Sequence, residues 1–199
     1  MSPHSHELNG RHGARQPERF NPERAARLDD PARFEYLPPK EVAELLDIPA
    51  DGTLLDFGTG TGTYAIEIAR LRPDVEVIAF DEQPEMLGLM QAKPAAAELA
   101  NLKPALPSDI AAYNGKIDRV LALNVLHELS DEALRSLKSL LKDDGTALFI
   151  DWNAEVERPG GPPADHLYSP AEGRQRLEQM GFTVRSEKLF PYHYSILAD

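Results

Sequence analysis

The chain has 199 residues, contains no cysteine and carries a formal net charge of −12. The lack of cysteine excludes disulfide bonds, thiolate catalysis and cysteine-ligated zinc, and the negative charge disfavours phosphate backbones, so we expect no nucleic-acid partner. No apolar run is long enough to cross a membrane and residues 1–20 lack the apolar core of a secretory signal, which predicts a cytoplasmic protein without membrane insertion.

The first 19 residues are polar and rich in His, Gly, Arg and Pro, which predicts a disordered tail. The tail gives its histidines no fixed geometry, so we predict no metal site among them: His4, His6 and His12. Residues 20–199 are expected to form one domain. It begins with an N-terminal helical cap at 20–46, in which Pro22 and Pro31 interrupt short helical pieces.

Beyond the cap, predicted strands and helices alternate. The predicted strands are TLLDF, VEVIAF, residues 117–123, TALFID, FTVRSEKLF and YHYSILA, with a further short strand near 102–106. Helices are predicted at 63–70, 84–92, 131–141 and 170–180. This alternation predicts a parallel sheet with helices on both faces, and the last two strands, around Pro191, are expected to form an antiparallel hairpin.

Several residues mark the predicted element ends. Ser130 is a typical N-cap, and Ser169 and Glu172 have the spacing of a capping box. The helix after Ser130 is expected to bury four leucines: Leu134, Leu137, Leu140 and Leu141. Gly145 is expected to end the turn before TALFID.

The first predicted strand runs into a glycine-rich loop, LLDFGTGTGTY, at residues 54–64. Gly58, Gly60 and Gly62 stand at alternate positions, more than a tight turn needs. Ligands bind at the carboxyl ends of parallel strands, helix N-termini offer free N–H groups, and glycines allow a ligand to approach the backbone. The loop is therefore predicted to bind a bulky ligand.

Two ligand classes fit this position. Dinucleotide-binding folds show G-x-G-x-x-G, but Thr63 stands where the last glycine of that pattern belongs. Asp56 precedes the first glycine by two residues. Asp81 follows the second strand about twenty residues after the loop, where a carboxylate can accept hydrogen bonds from both ribose hydroxyls, and this suits either class.

The D-x-G-x-G-x-G string resembles the first motif of class I S-adenosylmethionine (SAM)-dependent methyltransferases. The resemblance continues at matching spacing in FDEQPEML, IDRVLALNVLHELSD and LKDDGTALFIDW, over residues 40–152. GPPADHLYSPAEGRQRLEQMGFTV is similar to small bacterial methyltransferases of the type 11 group, akin to ubiquinone-biosynthesis enzymes. The resemblance implies a Rossmann-like, doubly wound α/β fold with a mostly parallel seven-stranded sheet.

The implied function is transfer of the methyl group of SAM to a small-molecule acceptor, with S-adenosylhomocysteine (SAH) as the other product. Two alternatives stay open: a non-catalytic SAM-binding sensor or partner module, and an NAD(P)-dependent oxidoreductase. The implied cofactor-binding residues are Asp56, Gly58, Thr59, Gly60 and Gly62 in the loop, Asp81, Glu82 and Met86 at the ribose and adenine edge, Asp109 and Ile110 near adenine, and Asn124 on the methionine side. For Met86, plain core packing is an equal alternative.

Methyl transfer depends mainly on alignment, and a base helps only when the nucleophile carries a proton with a high pKa. His127 and Asp151 are the catalytic candidates, although His127 could also be a structural histidine. The segments 20–36 and 157–168 are expected to cover the site. The segment 157–168 and the turn around Pro191 carry four further candidates for contact with the acceptor, although each of them alone could equally be a surface residue: His166, Tyr168, Tyr192 and His193. His127, Asp151 and His166 lack helical ligand spacing, so we predict no metal centre.

Overall fold

The computed structural model describes residues 22–199, with side chains from Ala25 onward; the predicted tail and its three histidines lie outside this range. The helices are α1 (Arg33–Tyr36), α2 (Pro39–Leu46), α3 (Thr63–Leu71), α4 (Pro84–Gln91), α5 (Pro94–Ala97), α6 (Asp131–Leu140) and α7 (Pro170–Gln179). The strands are β1 (Thr53–Phe57), β2 (Glu76–Phe80), β3 (Leu102–Ala105), β4 (Ile117–Leu123), β5 (Leu141–Trp152), β6 (Val184–Leu189) and β7 (His193–Ala198). Short 3₁₀ helices span Pro22–Asp29, Ile110–Tyr113, Leu126–Glu128 and Ala164–His166.

The seven strands form one sheet in the order β3-β2-β1-β4-β5-β7-β6. The first five strands in this order are parallel to one another, whereas β7 is antiparallel to both β5 and β6. The predicted Rossmann-like α/β class and the antiparallel C-terminal hairpin are therefore confirmed. The strand order reverses between β1 and β4, and such a switch point is where open α/β sheets bind ligands, at the carboxyl ends of the strands.

The sheet separates two apolar layers, and alternate residues of its strands point into each. On one face, Leu148 and Ile150 of β5 pack with α2 and α3. On the other face, Phe149 of β5 packs with Leu137 of α6 and Leu177 of α7. Helices on both faces explain why the central strands read as nearly continuous apolar runs.

Both predicted caps are present. The Ser130 hydroxyl accepts a hydrogen bond from the Ala133 N–H at 3.1 Å. Ser169 and Glu172 form the reciprocal capping box, in which the Glu172 carboxylate accepts from the Ser169 N–H at 2.8 Å. These bonds satisfy donors that helix N-termini leave free, and they fix where α6 and α7 start.

Two expectations around the fifth strand are wrong. Leu141 is half-buried and begins β5 instead of ending α6, because the Gly115 and Lys116 N–H groups bond to the last carbonyls of that helix at 3.0 and 3.1 Å. Gly145 lies inside β5 instead of ending a turn before it. The register shifts opposite this stretch, and the pairing with β4 resumes at Thr146, so Gly145 belongs to a bulge.

The cap, here the described residues 22–46, contains the expected short helical pieces. Its 3₁₀ helix begins at Pro22, and α1 follows Pro31 closely. Helix α2 buries Val42 and Leu46 against the layer that contains α3. Within residues 22–199, no helix has the length and apolar character that a membrane span requires.

Candidate cofactor and acceptor site

The glycine loop is built as the sequence predicts. Gly58, Gly60 and Gly62 all have positive φ angles, of 77°, 58° and 72°, a region that glycine enters at little cost. A Cβ on Gly58 would lie 2.7 Å from Val125 Cγ1, and one on Gly62 would overlap the side chain of Met90. Gly58 and Gly62 therefore need glycine for both conformation and space. Gly58 is half-buried, whereas Gly60 and Gly62 are buried under the side chains of Leu28, Met86 and Met90.

Asp81 is tied to this loop by its carboxylate. One oxygen accepts from the Gly60 N–H at 2.9 Å, and the other accepts from the Gln83 N–H at 2.9 Å. A carboxylate offers about four lone pairs, so two remain after these bonds. The side chain is buried, and burial raises its pKa against the effect of the two N–H groups. Asp81 is thus oriented to accept two further hydrogen bonds, as a pair of vicinal hydroxyls requires.

Asp56 lies at the end of β1, directly before the loop. It is 3% exposed and accepts a hydrogen bond from the Thr59 hydroxyl at 2.6 Å. Burial raises the pKa of Asp56 to about 6, and the neighbouring Asp81 charge adds to this while Thr59 opposes it. A buried acid that ionises near neutral pH fits a site for a cationic group, since a cation would restore the stability of its charged form.

Four of the remaining predicted cofactor residues differ in their exposure to solvent. Glu82 and Asp109 are exposed at the ends of β2 and β3, where Asp109 accepts hydrogen bonds from the Leu106 N–H and the Ser108 hydroxyl. Ile110 is half-buried beside Asp109. Met86 is buried but belongs to neither core layer, and its Cε lies 3.5 Å from where a Gly60 Cβ would stand.

Asn124 follows β4 with a φ of 58°, a left-handed conformation that asparagine tolerates. Its N–H donates to the Ile150 carbonyl at 2.7 Å, while its side-chain Oδ1 is buried and has no hydrogen-bond partner among the described residues. Its polar atom is therefore available at the end of β4, next to the loop. The fold thus brings every predicted cofactor-binding residue to the carboxyl edge of the sheet.

His127 and Asp151 form a close pair at the same edge. Asp151 is 1% exposed and accepts from the backbone N–H and the Nδ1 of His127, both at 2.9 Å, and from the Trp152 N–H at 2.8 Å. These bonds leave the carboxylate little capacity to contact another molecule. Asp151 therefore acts on His127, whose ring it orients, more directly than on an acceptor.

The pairing fixes the charge of His127. Burial alone would lower the pKa of His127, but the charge and hydrogen bonds of Asp151, with a contribution from Glu128, raise it to about 10. The imidazole is then protonated at neutral pH and cannot accept a proton. Its Nε2 is buried, lies 3.6 Å from Glu128 Oε1 and makes no hydrogen bond within residues 22–199. The geometry favours His127 as a hydrogen-bond donor instead of a general base.

An aromatic cluster lies beside this pair. The His193 ring lies 4.0 Å from the Trp152 ring and stacks on Tyr36 of the cap at 5.7 Å, and Tyr192 meets Tyr36 edge-on at 5.2 Å. His193 is fully buried, unlike the half-buried His166, Tyr168 and Tyr192. A surface position for His193 is therefore wrong, because β7 inserts between β5 and β6 and places it opposite Trp152.

Asp29 of the cap was not predicted as a site residue. Its carboxylate accepts hydrogen bonds at 2.6 Å from the hydroxyls of Thr61 and Thr63 and from Lys93 Nζ. Leu28, its neighbour, comes within 3.0 Å of where a Gly60 Cβ would stand, so the cap covers the glycine loop. The sequence offers no signal for this contact, since an acid at the end of a 3₁₀ helix is an ordinary surface feature.

Within the described residues 22–199, no three His, Asp or Glu side chains are grouped as a metal ion would require.

Comparison with known proteins adds the family. A family model described as "Methyltransferase domain" matches residues 31–189. The chain belongs to this methyltransferase family. A crystal structure of a SAM-dependent methyltransferase from Aquifex aeolicus is 29% identical to this methyltransferase domain, with a TM-score of 0.83 over 90% of this chain and 98% of that one. The predicted class I methyltransferase fold is confirmed, and family and fold imply SAM as the cofactor.

Curated relatives match over shorter stretches. The release factor glutamine methyltransferase of Escherichia coli is 42% identical over 57 residues, which cover 29% of this chain and 20% of that protein. A ubiquinone/menaquinone biosynthesis C-methyltransferase of Geotalea uraniireducens is 30% identical over 109 residues, or 51% of this chain and 46% of the relative. The chain thus spans between a fifth and a half of the length of these relatives, and they do not fix its acceptor.

Proposed function

We propose that the protein transfers a methyl group from SAM to a small-molecule acceptor at the carboxyl edge of the sheet. The observation that carries this proposal is the Asp81 carboxylate, which two backbone N–H groups orient beside three left-handed glycines. When bound there, SAM supplies a methyl group on a positively charged sulfur. Everything else that the reaction needs, namely binding, alignment and exclusion of water, falls to the chain.

The proposed cofactor contacts follow from the positions of the residues. Asp81 accepts from the ribose hydroxyls, and Asp56 faces the ammonium group, whose charge compensates the cost of a buried carboxylate. The loop glycines and Thr59 present backbone to the amino-acid part of the cofactor, and Asn124 lies on the methionine side. The adenine edge is assigned to Glu82, Met86, Asp109 and Ile110.

In this proposal His127 contacts the acceptor, and Asp151 is a positioning residue that holds the His127 ring and its charge. The acidic net charge of −12 favours a small acceptor over a nucleic acid. A cytoplasmic location belongs to the same proposal, since the reaction draws on SAM made inside the cell. The fold by itself does not fix the chemistry: a [4+2]-cyclase, SpnF, shares it at 21% identity and a TM-score of 0.62.

A thermal-shift titration with SAM, SAH, NADH and NADPH tests the cofactor. A ligand at about 100 times its dissociation constant adds roughly 2.7 kcal/mol, which raises the Tm of a domain of this size by about 5–11 °C. We expect this shift with SAM and SAH only, and its loss in Asp81→Ala. Asp144→Ala, which removes an exposed carboxylate from the β5 bulge, is the matched control and should keep the shift.

A shift with the nicotinamides alone would replace the proposal with an oxidoreductase, and no shift with any ligand would remove the cofactor assignment. Formation of SAH from SAM in the presence of an acceptor separates a methyltransferase from a module that only binds SAM.

A further inference from the structure

The cap has two parts that differ in how firmly they are attached. Helices α1 and α2 are anchored in the core, where Leu37 directly after α1 and Val42 in α2 are fully buried. In the 3₁₀ helix Pro22–Asp29, only Ala25 is buried among the residues whose side chains are described. Segments with few buried apolar contacts open at a lower free-energy cost than the rest of a protein. This 3₁₀ helix is therefore the part of the cap that can detach alone.

The local hydrogen bonds at the junction of the two parts belong to α1 and not to the 3₁₀ helix. The Asp30 carboxylate accepts from the Ala32 N–H at 3.0 Å, and the Asp30 carbonyl accepts from the Arg33 N–H at 3.1 Å. Asp29 and Asp30 are both exposed, and Pro31 limits the conformations open to Asp30. A change of direction thus falls on the backbone dihedral angles of Asp29, without loss of the bonds that start α1.

The 3₁₀ helix lies on the glycine loop through Leu28. Leu28 Cδ1 is 3.0 Å, and Met86 Cε 3.5 Å, from where a Cβ on Gly60 would stand, and Gly60 is buried. A ligand therefore reaches this face of Gly60 only after one of the two side chains moves. Met86 is 1% exposed on α4, whereas Leu28 is half-buried on the weakly attached part of the cap. Leu28 is the side chain that moves at the lower cost.

Arg33 links the two parts of the cap. It begins α1 and is 9% exposed, its Nη1 donates to the Leu28 carbonyl at 2.6 Å, and its guanidinium stands 5.3 Å from the centre of the Tyr64 ring. Tyr64 follows the glycine loop and is itself fixed, since its hydroxyl donates to the Leu37 carbonyl at 2.8 Å. When the 3₁₀ helix lifts, Arg33 loses one hydrogen bond but gains hydration, which offsets part of the cost. Arg33 therefore holds Leu28 in place through a bond that can break and reform.

We propose that residues 22–29 are a lid over the cofactor site, which lifts about a hinge at Asp29 while α1 and α2 stay in place, and which Arg33 latches through the Leu28 carbonyl. The inference rests on the proposed function, because the lid controls exchange of the cofactor at that site. SAM enters and SAH leaves only while the lid is open. Arg33 is a positioning residue here, since it acts on the lid and not on the reacting atoms.

The first test needs no ligand. Amide hydrogen exchange of the full chain, followed by mass spectrometry, compares the lid with α2. We expect the lid amides to exchange at least about tenfold faster than those of α2, the ratio that a difference of roughly 1.4 kcal/mol in opening free energy gives. Equal exchange in the two segments would show that the cap opens as one body, and it would overturn the proposal.

Arg33→Gln should speed exchange of the lid about fivefold, the factor that corresponds to one hydrogen bond of roughly 1 kcal/mol, and should leave α2 unchanged. Arg33→Lys keeps a donor for the Leu28 carbonyl and should restore part of the protection. Arg135→Gln is the matched control, because it removes the same charge from an exposed position on α6 and should change neither segment. A latch at Arg33 is contradicted if Arg33→Gln behaves like Arg135→Gln.

The second test locks the lid. The sequence has no cysteine, so Asp29→Cys with Thr63→Cys introduces two unique thiols at positions whose side-chain oxygens lie 2.6 Å apart. We expect oxidation to slow both the entry and the release of SAH by at least about tenfold, and reduction to reverse this. Each single-cysteine variant, treated with the same oxidant, should exchange SAH as before.

The order of loading and locking separates a lid from damage to the loop, since SAH bound before oxidation should stay bound. The proposal is overturned if the oxidised protein exchanges SAH as fast as the reduced one, or if oxidation expels bound SAH. It is also overturned if the two thiols do not join, because the closed contact would then not form. Failure of SAH to bind to the unmodified protein would instead contradict the proposed function.

Discussion

Two buried histidines at the strand ends are held in opposite protonation states. Asp151 keeps His127 protonated, with a pKa of about 10, whereas burial, with the charges of Arg33 and Arg158, lowers the pKa of His193 to about 3 against the pull of Asp151. At neutral pH the first has no lone pair to offer and the second is a weak base. We therefore expect an acceptor whose nucleophile needs no strong base from the protein.

Asp56 gives a prediction at this scale. Its pKa of about 6 in the folded chain lies above the ordinary value of 3.8, so its ionisation opposes folding as the pH rises through this window, by up to about 3 kcal/mol at neutral pH. Asp56→Asn should therefore raise the Tm of the ligand-free protein at pH 7, as measured by calorimetry.

Asp56→Asn should also weaken SAM binding, because a neutral amide lacks the negative charge that strengthens a hydrogen bond from an ammonium group. In the unmodified protein, SAM affinity should fall as the pH drops through about 6, where Asp56 becomes protonated. Calorimetric titrations at pH 5 and pH 7.5 measure this, and the pH dependence should be absent in Asp56→Asn. An unchanged affinity in the variant would remove Asp56 from the cofactor site.

At the scale of elements, we expect the contact between the cap and the glycine loop to control access to the proposed cofactor site. Asp29 joins the cap to Thr61 and Thr63 at the start of α3 and to Lys93 beyond the end of α4. Its carboxylate is partly exposed, and such pairs contribute only about 0.2–1 kcal/mol to stability. Removing the Asp29 contacts should therefore change the rate at which the cap opens more than it changes the Tm of the protein.

We expect Asp29→Ala to speed the dissociation of SAH several-fold, since losing about 1 kcal/mol from the closed state changes a rate roughly fivefold. Stopped-flow displacement of bound SAH measures this. Asp29→Asn can still accept hydrogen bonds from the threonines but loses its charge next to Lys93. Its SAH dissociation rate should therefore lie between the rates of the unmodified protein and Asp29→Ala. Equal dissociation rates in all three proteins would show that the cap does not retain the cofactor.

The elements also show how far the sequence predicts the structure. The alternating strands and helices, both serine caps and the glycine loop depend on neighbours in the chain, and all were predicted within a few residues. Leu141 was misassigned because the helical spacing of leucines continues past the point where backbone bonds from Gly115 and Lys116 end α6. The contacts of Asp29 and Arg158 and the burial of His193 depend on segments that are far apart in the sequence. The local sequence pattern does not predict which distant segments meet.

At the scale of the whole molecule, the net charge of −12 creates a field that attracts cations. SAM carries one net positive charge at neutral pH and SAH carries none. We predict that the association rate of SAM falls several-fold between about 0.02 M and 0.3 M salt, whereas that of SAH changes by less than about twofold. Stopped-flow mixing at several salt concentrations measures both, and SAH is the built-in control. Parallel falls for the two ligands would contradict electrostatic steering.

The place of β7 in the sheet has a consequence for synthesis on the ribosome. Strand β6 leaves the ribosome before β7, yet its neighbour in the sheet is β7, which then separates it from β5. While β7 is still inside the exit tunnel, β6 has no partner strand and the open edge of β5 is available for wrong pairing. His193 opens β7, so the surroundings of Trp152 and the proposed acceptor site are completed only when β7 joins the sheet, after the residues of the glycine loop have been synthesised.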